Sequence, residues 1–171
     1  MAEQVPGVED LAATDAYPVP EDGRFVVGGI EREFIDGPDL EVLAGNVIEQ
    51  FSMRIAEDFD IRWLWKREQT GEAMGKCSRT TGALKHFTDA DFVIWVAADG
   101  PREHQFTRRQ IEAVVYHELL HVSITDKGKP AIRKHDAEVF REELREFGLW
   151  NTRLQKTFGQ LEMPLYADRP F

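Results

Sequence analysis

Apolar residues recur at three- and four-residue intervals at Leu40, Leu43, Val47, Phe51 and Ile55, which gathers them on one face of a helix. Pro38 suits the first turn, so the pattern predicts a helix over about residues 38–57. Upstream, Phe25, Val26, Val27, Ile30, Phe34 and Ile35 surround the pair Gly28-Gly29, as in a short strand or turn that joins the fold. Ile61 to Trp65 and Asp91 to Ala98 have strand composition, and a pairing near Lys76–Thr80, within a Gly-, Ser- and Thr-rich stretch, supplies a third strand. Thr107 with Gln110 three residues later is a capping box, and the apolar-rich helix it opens is expected to run to about Ile124. A loop from Asp126 to Lys134 leads to a last helix from about His135 to Phe147, stopped at Gly148. These elements predict an α+β fold, a small β-sheet packed against helices.

Composition narrows the class. The 171 residues suit one domain, and the net charge of −10 argues against general binding of nucleic-acid phosphates or anionic membrane. Six of those charges lie in residues 1–23, which contain no Lys or Arg, carry three prolines and show no sustained apolar period. That segment reads as a flexible acidic tail or loosely docked arm, leaving the body at −4. The longest apolar run, Phe92 to Ala98, is too short to cross a bilayer. A single cysteine, Cys77, excludes an internal disulfide and a Cys-rich zinc module, and no secretory signal pattern opens the chain; both point to a reducing cytoplasm. Trp63, Trp65, Trp95 and Trp150 read as core and strand aromatics, and His86 and His104 as surface residues.

The chemistry is concentrated in the capped helix, at His117-Glu118-Leu119-Leu120-His121. Four residues at about 100° each return to nearly the same face, so both imidazoles can address one ion. Glu118 projects beside them, where a general base would act on water. Ile111, Val115, Leu119 and Val122 fall on the opposite face, so the helix is expected to be buried, and coordination of zinc (Zn2+) would satisfy its inward ionisable groups.

A catalytic zinc needs a third protein ligand. Metzincin spacing would require Gly at 124 and His at 127; Ile124 and Lys127 exclude it. Asp126, His135, Asp136, Glu138, Glu142 and Glu143 are the downstream candidates. His135 is the first choice, at the start of the next helix, and Glu138, one turn beyond, is the alternative. Asp136 reads either as an orienting partner of a ligand histidine or as a helix N-terminal acid. Glu142, Glu143 and Glu146 read as a solvated helix face. Lys127, Lys129, Arg133 and Lys134 make the intervening loop basic, which reads first as a solvated loop and alternatively as a patch favouring acidic substrate segments.

His117 to His121, followed by Lys134-His135-Asp136-Ala137-Glu138-Val139-Phe140 and then Phe147-Gly148-Leu149-Trp150, resembles the phage metallopeptidase family and, more distantly, the SprT-like and WLM zinc peptidases. Gly75-Lys76-Cys77 leading to Asp91-Phe92-Val93-Ile94 fits the same pattern, and the likeness covers about residues 40–155. The resemblance implies a zincin-like fold, His117, His121 and His135 as metal ligands, Glu118 as the base, and a protein or peptide substrate. The expected organisation is an acidic tail over 1–23, a zincin-like metallopeptidase domain over 24–160 and an irregular tail over 161–171. A zinc-stabilised, non-catalytic binding or assembly protein of a phage is the alternative. For a phage-encoded chain the location would be the host cytoplasm.

Overall fold

The computed structural model describes residues 16–135 and 140–150. A 3-10 turn at Asp22–Phe25 leads into a small hairpin of β1 (Val26–Val27) and β2 (Ile30–Glu31). Its two-residue turn is Gly28-Gly29, with φ of 60° and 78°, values that glycine adopts without the clash a Cβ would bring. Then follow β3 (Phe34–Asp36), α1 (Pro38–Phe51), α2 (Arg54–Glu57), β4 (Ile61–Lys66), β5 (Gly75–Arg79), α3 (Leu84–Phe87), β6 (Phe92–Ala97), α4 (Asp99–Glu103), α5 (Arg108–Leu120), β7 (Val122–Ile124), β8 (Pro130–Ile132) and α6 (Arg141–Phe147). The fold is mixed α+β.

Four strands make the main sheet, in the order β3-β4-β6-β5. The two central strands, β4 and β6, run parallel, while β3 and β5 lie antiparallel at the two edges. The register stacks Trp63, Ile94 and Cys77 in one row and Trp65, Val96 and Gly75 in the next, all on one face. That face carries the core: Trp63, Trp65, Cys77, Phe92, Ile94 and Val96 are buried against α1 and α5. β6 is buried along almost its whole length, as expected of a central strand covered by helices. On α5, Ile111, Val115, Leu119 and the following Val122 are all buried, so the predicted inward face is the observed one.

The capping box is present in both directions: Gln110 N–H donates to the Thr107 hydroxyl, and Thr107 N–H donates to the Gln110 side chain. Three predicted boundaries move. The helix over 38–57 breaks at Ser52, which sits in the left-handed region at φ 52° and separates α1 from α2. Helix α5 ends at Leu120 rather than Ile124, because Val122-Ser123-Ile124 peels off as a strand paired with Pro130–Ile132. The last helix begins at Arg141, since Phe140 has extended backbone, so His135 stands outside it.

Part of the acidic N-terminal segment is docked. Tyr17 N–H donates to the Phe106 carbonyl at 2.7 Å, and Arg102 binds both the Pro20 carbonyl and Asp22. Asp39, in the first turn of α1, accepts from the Tyr17 hydroxyl and the Trp65 indole, tying arm, helix and sheet together. Residues 161–171 and the first fifteen lie outside the described residues. Among the described residues no helix is long and apolar enough to cross a membrane.

Burial, with the charge of Asp39 and the hydrogen bond to it, pushes the Tyr17 phenol from 10.0 up to about 12. A folded-state pKa above the unfolded one favours the fold below pH 10, and that contribution disappears as pH rises from about 10 towards 12. Tyr17→Phe should therefore flatten the alkaline fall in thermal midpoint over that window and remove one late tyrosinate transition from the ultraviolet titration.

Candidate metal centre

Helix α5 brings His117 and His121 to the same face one turn apart, with ring centroids 5.2 Å from each other. The third imidazole arrives by a hairpin. His121 caps α5, and the chain turns directly into β7, reverses through Asp126-Lys127-Gly128 and returns along β8. Gly128 at φ 73° and the Gly128 N–H bond to the Thr125 carbonyl close this three-residue turn. The returning strand is pinned to the helix end twice: Arg133 N–H donates to the His121 carbonyl at 2.8 Å, and His121 Nδ1–H donates to the Arg133 carbonyl at 2.7 Å. Two residues later, His135 stands over the other two rings.

The three ring nitrogens lie within 4.8 Å of one another, and His135 Nε2 is 3.1 Å from His117 Nε2. Nitrogens on a tetrahedral ion with bonds of 2.0–2.1 Å sit about 3.3 Å apart, so the spacing suits one shared ion. Tautomers agree with that reading. His117 Nδ1–H is taken by Glu143 Oε2 at 2.5 Å and His121 Nδ1–H by a carbonyl, which leaves both Nε2 lone pairs facing inward. Burial lowers the pKa of His121, keeping it in the neutral form that ligates. These residues can hold a metal ion.

Phe140 is the floor of the group. It is fully buried, and its ring centroid lies 5.4, 4.9 and 4.9 Å from those of His117, His121 and His135. The Arg133 guanidinium covers the same ring at 4.7 Å and pairs with Glu142. Within the basic loop, Arg133 is thus engaged in the site's wall, whereas Lys127, Lys129 and Lys134 are exposed.

Glu118 lies in the seam between α5 and the edge strand β5, against Gly75 and the Cys77 backbone. It is 4 % exposed, and its Oε2 has no hydrogen-bond partner. Burial pushes its carboxyl from 4.5 up to about 7, against the opposing pull of His117 and of a hydrogen bond from the Cys77 backbone. A buried carboxylate oxygen left without a donor is costly, so this orphaned acceptor fits a site built around a cation.

Glu143 departs from the expectation drawn from the sequence. Glu143, expected on a solvated face, is 1 % exposed; it accepts from His117 through Oε2 and from the Trp150 indole through Oε1 at 2.8 Å. Phe140, Glu143 and Phe147 are spaced three and four apart, so a carboxylate on an apolar helix face was the available signal. Asp136 and Glu138 lie outside the described residues. Asp126 is at the exposed hairpin tip, and Glu142 belongs to Arg133. His86 and His104 are exposed.

The model of the family described as "Putative phage metallopeptidase" matches residues 32–162. The chain belongs to this phage metallopeptidase family. No curated protein and no solved structure matches it. Membership implies a metal-dependent peptidase acting on proteins or peptides, and all three histidines, Glu118 and Glu143 fall within the matched span.

Because one ring supports all three imidazoles, Phe140→Ala should cost about 3–5 kcal/mol of stability, the usual range for emptying a buried phenylalanine site. Denaturant unfolding of the full chain measures it.

Proposed function

We propose that the protein is a zinc-dependent metallopeptidase of zincin type in which His117, His121 and His135 hold the ion and Glu118 is the general base. The observation that carries this reading is the convergence of three imidazoles beside a buried carboxylate with an unpartnered oxygen. An all-nitrogen donor set suits zinc. Zinc held there supplies a Lewis acid that polarises a peptide carbonyl and makes water more acidic.

The chain's own residues do the rest. Glu118 Oε2 accepts a proton from the attacking water, and the same carboxyl passes it to the amine as the peptide bond breaks. Because Glu118 is enclosed between α5 and β5, it is held in one place and shielded from bulk water. Glu143 fixes the orientation of the His117 ring, with Trp150 in turn orienting Glu143. The Arg133 carbonyl does the same for His121. A reducing cytoplasm, that of the host for a phage-encoded chain, is the compartment consistent with one buried free thiol.

Metal analysis of the purified full chain should find one zinc per chain, and Glu118→Gln should keep the zinc while lowering kcat on an unfolded protein substrate by about 10²- to 10⁴-fold. Unchanged cleavage by that variant would remove Glu118 from the chemistry, and absence of stoichiometric zinc would remove the site. His135→Ala should abolish tight zinc binding, whereas Glu138→Ala should not; the reverse pattern would transfer the third ligand to Glu138. For the supporting carboxylate, Glu143→Gln should weaken zinc binding by about 10- to 100-fold in a chelator competition, with folding retained.

A further inference from the structure

Gly75 occupies the first position of the edge strand β5, paired with Val96 of β6, on the face that meets α5. Glycine inside a strand loosens it and contributes no packing, so its presence there calls for a reason. Conformation is not the reason. Gly75 is absent from the glycines with positive φ, and its backbone is ordinary strand that alanine adopts readily. Space is the reason. A Cβ built on Gly75 would lie 2.8 Å from Oε1, 2.9 Å from Cγ and 3.1 Å from Cδ of Glu118, well inside contact distance along the outer half of that side chain.

We propose that Gly75 is a positioning residue for Glu118: the missing side chain at 75 is the berth that lets the carboxylate lie against β5. Its catalytic meaning rests on the peptidase reading above. Cys77, two residues along on the same face, contributes the other wall of the berth, with its backbone hydrogen-bonded to Glu118. The body in conflict with a new methyl group is the far end of a flexible side chain and not backbone. An alanine at 75 is therefore accommodated by moving the carboxylate, with the strand and the core left in place. The strand thus sets where the base stands, although it supplies no reacting group.

The test uses the zinc-loaded full chain as wild type, Gly75→Ala, Glu118→Gln and the double variant, with Gly45→Ala as control because a Cβ there meets nothing within 4 Å. Gly75→Ala should retain stoichiometric zinc and a near-native thermal midpoint, and should lose kcat on denatured casein by on the order of 10²-fold with KM within about twofold. In the Glu118→Gln background the same substitution should cause no further loss, since the group it displaces no longer acts as a base. Crystal structures of wild type and Gly75→Ala should differ in the position of the Glu118 carboxylate. Wild-type kcat in Gly75→Ala, an equal proportional loss in the Glu118→Gln background, or an unmoved carboxylate would each overturn the proposal. If zinc-loaded wild type cleaves nothing, the peptidase reading falls, and the crystallographic comparison alone decides whether Gly75 sets the position of Glu118.

Discussion

Everything in this molecule is arranged around the need to keep ionisable groups of one helix out of water without leaving them unpaired. Helix α5 is apolar around most of its circumference and is sandwiched between α1, α6 and the sheet, yet it carries two imidazoles and a carboxylate. Each polar atom lost to solvent there must find a partner or exact a penalty of roughly 1–3 kcal/mol. The surrounding elements are those partners. The Arg133 carbonyl receives one ring, Glu143 receives another, and β5 receives the glutamate. What remains, three imidazoles whose ring nitrogens lie within 4.8 Å of one another and one buried carboxylate oxygen without a hydrogen-bond partner, fits the metal-dependent peptidase that the family's description implies.

The sequence showed most of this where chemistry and periodicity coincide. The capping box, the inward face of α5 and the two histidines one turn apart depend on local spacing, which a chain carries in plain view. The strands at Ile61 and Phe92 were legible for the same reason, as short apolar runs bounded by turn residues. His135 was legible as a residue but not as a position. It was expected on a helix, whereas it is delivered by a hairpin whose strand character, Val122-Ser123-Ile124, is only three residues long and abuts a helical pattern.

Glu143 and Gly75 were hidden for a different reason. For neither does local spacing name the partner: Glu143 meets His117, and Gly75 meets Glu118, only once α5 is packed against their elements. A glutamate among Glu142, Glu143 and Glu146 looks solvated until the helix is docked, and a glycine in a Gly-rich stretch looks like a turn residue until the neighbouring helix is in place. Contacts of this kind are written in the packing of layers, and one-dimensional spacing carries little of it.

The β7–β8 hairpin works as a caliper. Its jaws, the pairing of Val122 with Ile132 and the double tie between His121 and Arg133, fix how far the third imidazole stands from the helix end. Its handle, the turn at Asp126-Lys127-Gly128, projects away from the jaws and takes no part in that measurement. Strand pairs repeat every two residues, so arms lengthened or shortened by matched increments leave the jaws set as before. Descent with a changing hairpin is thereby compatible with an unchanged centre.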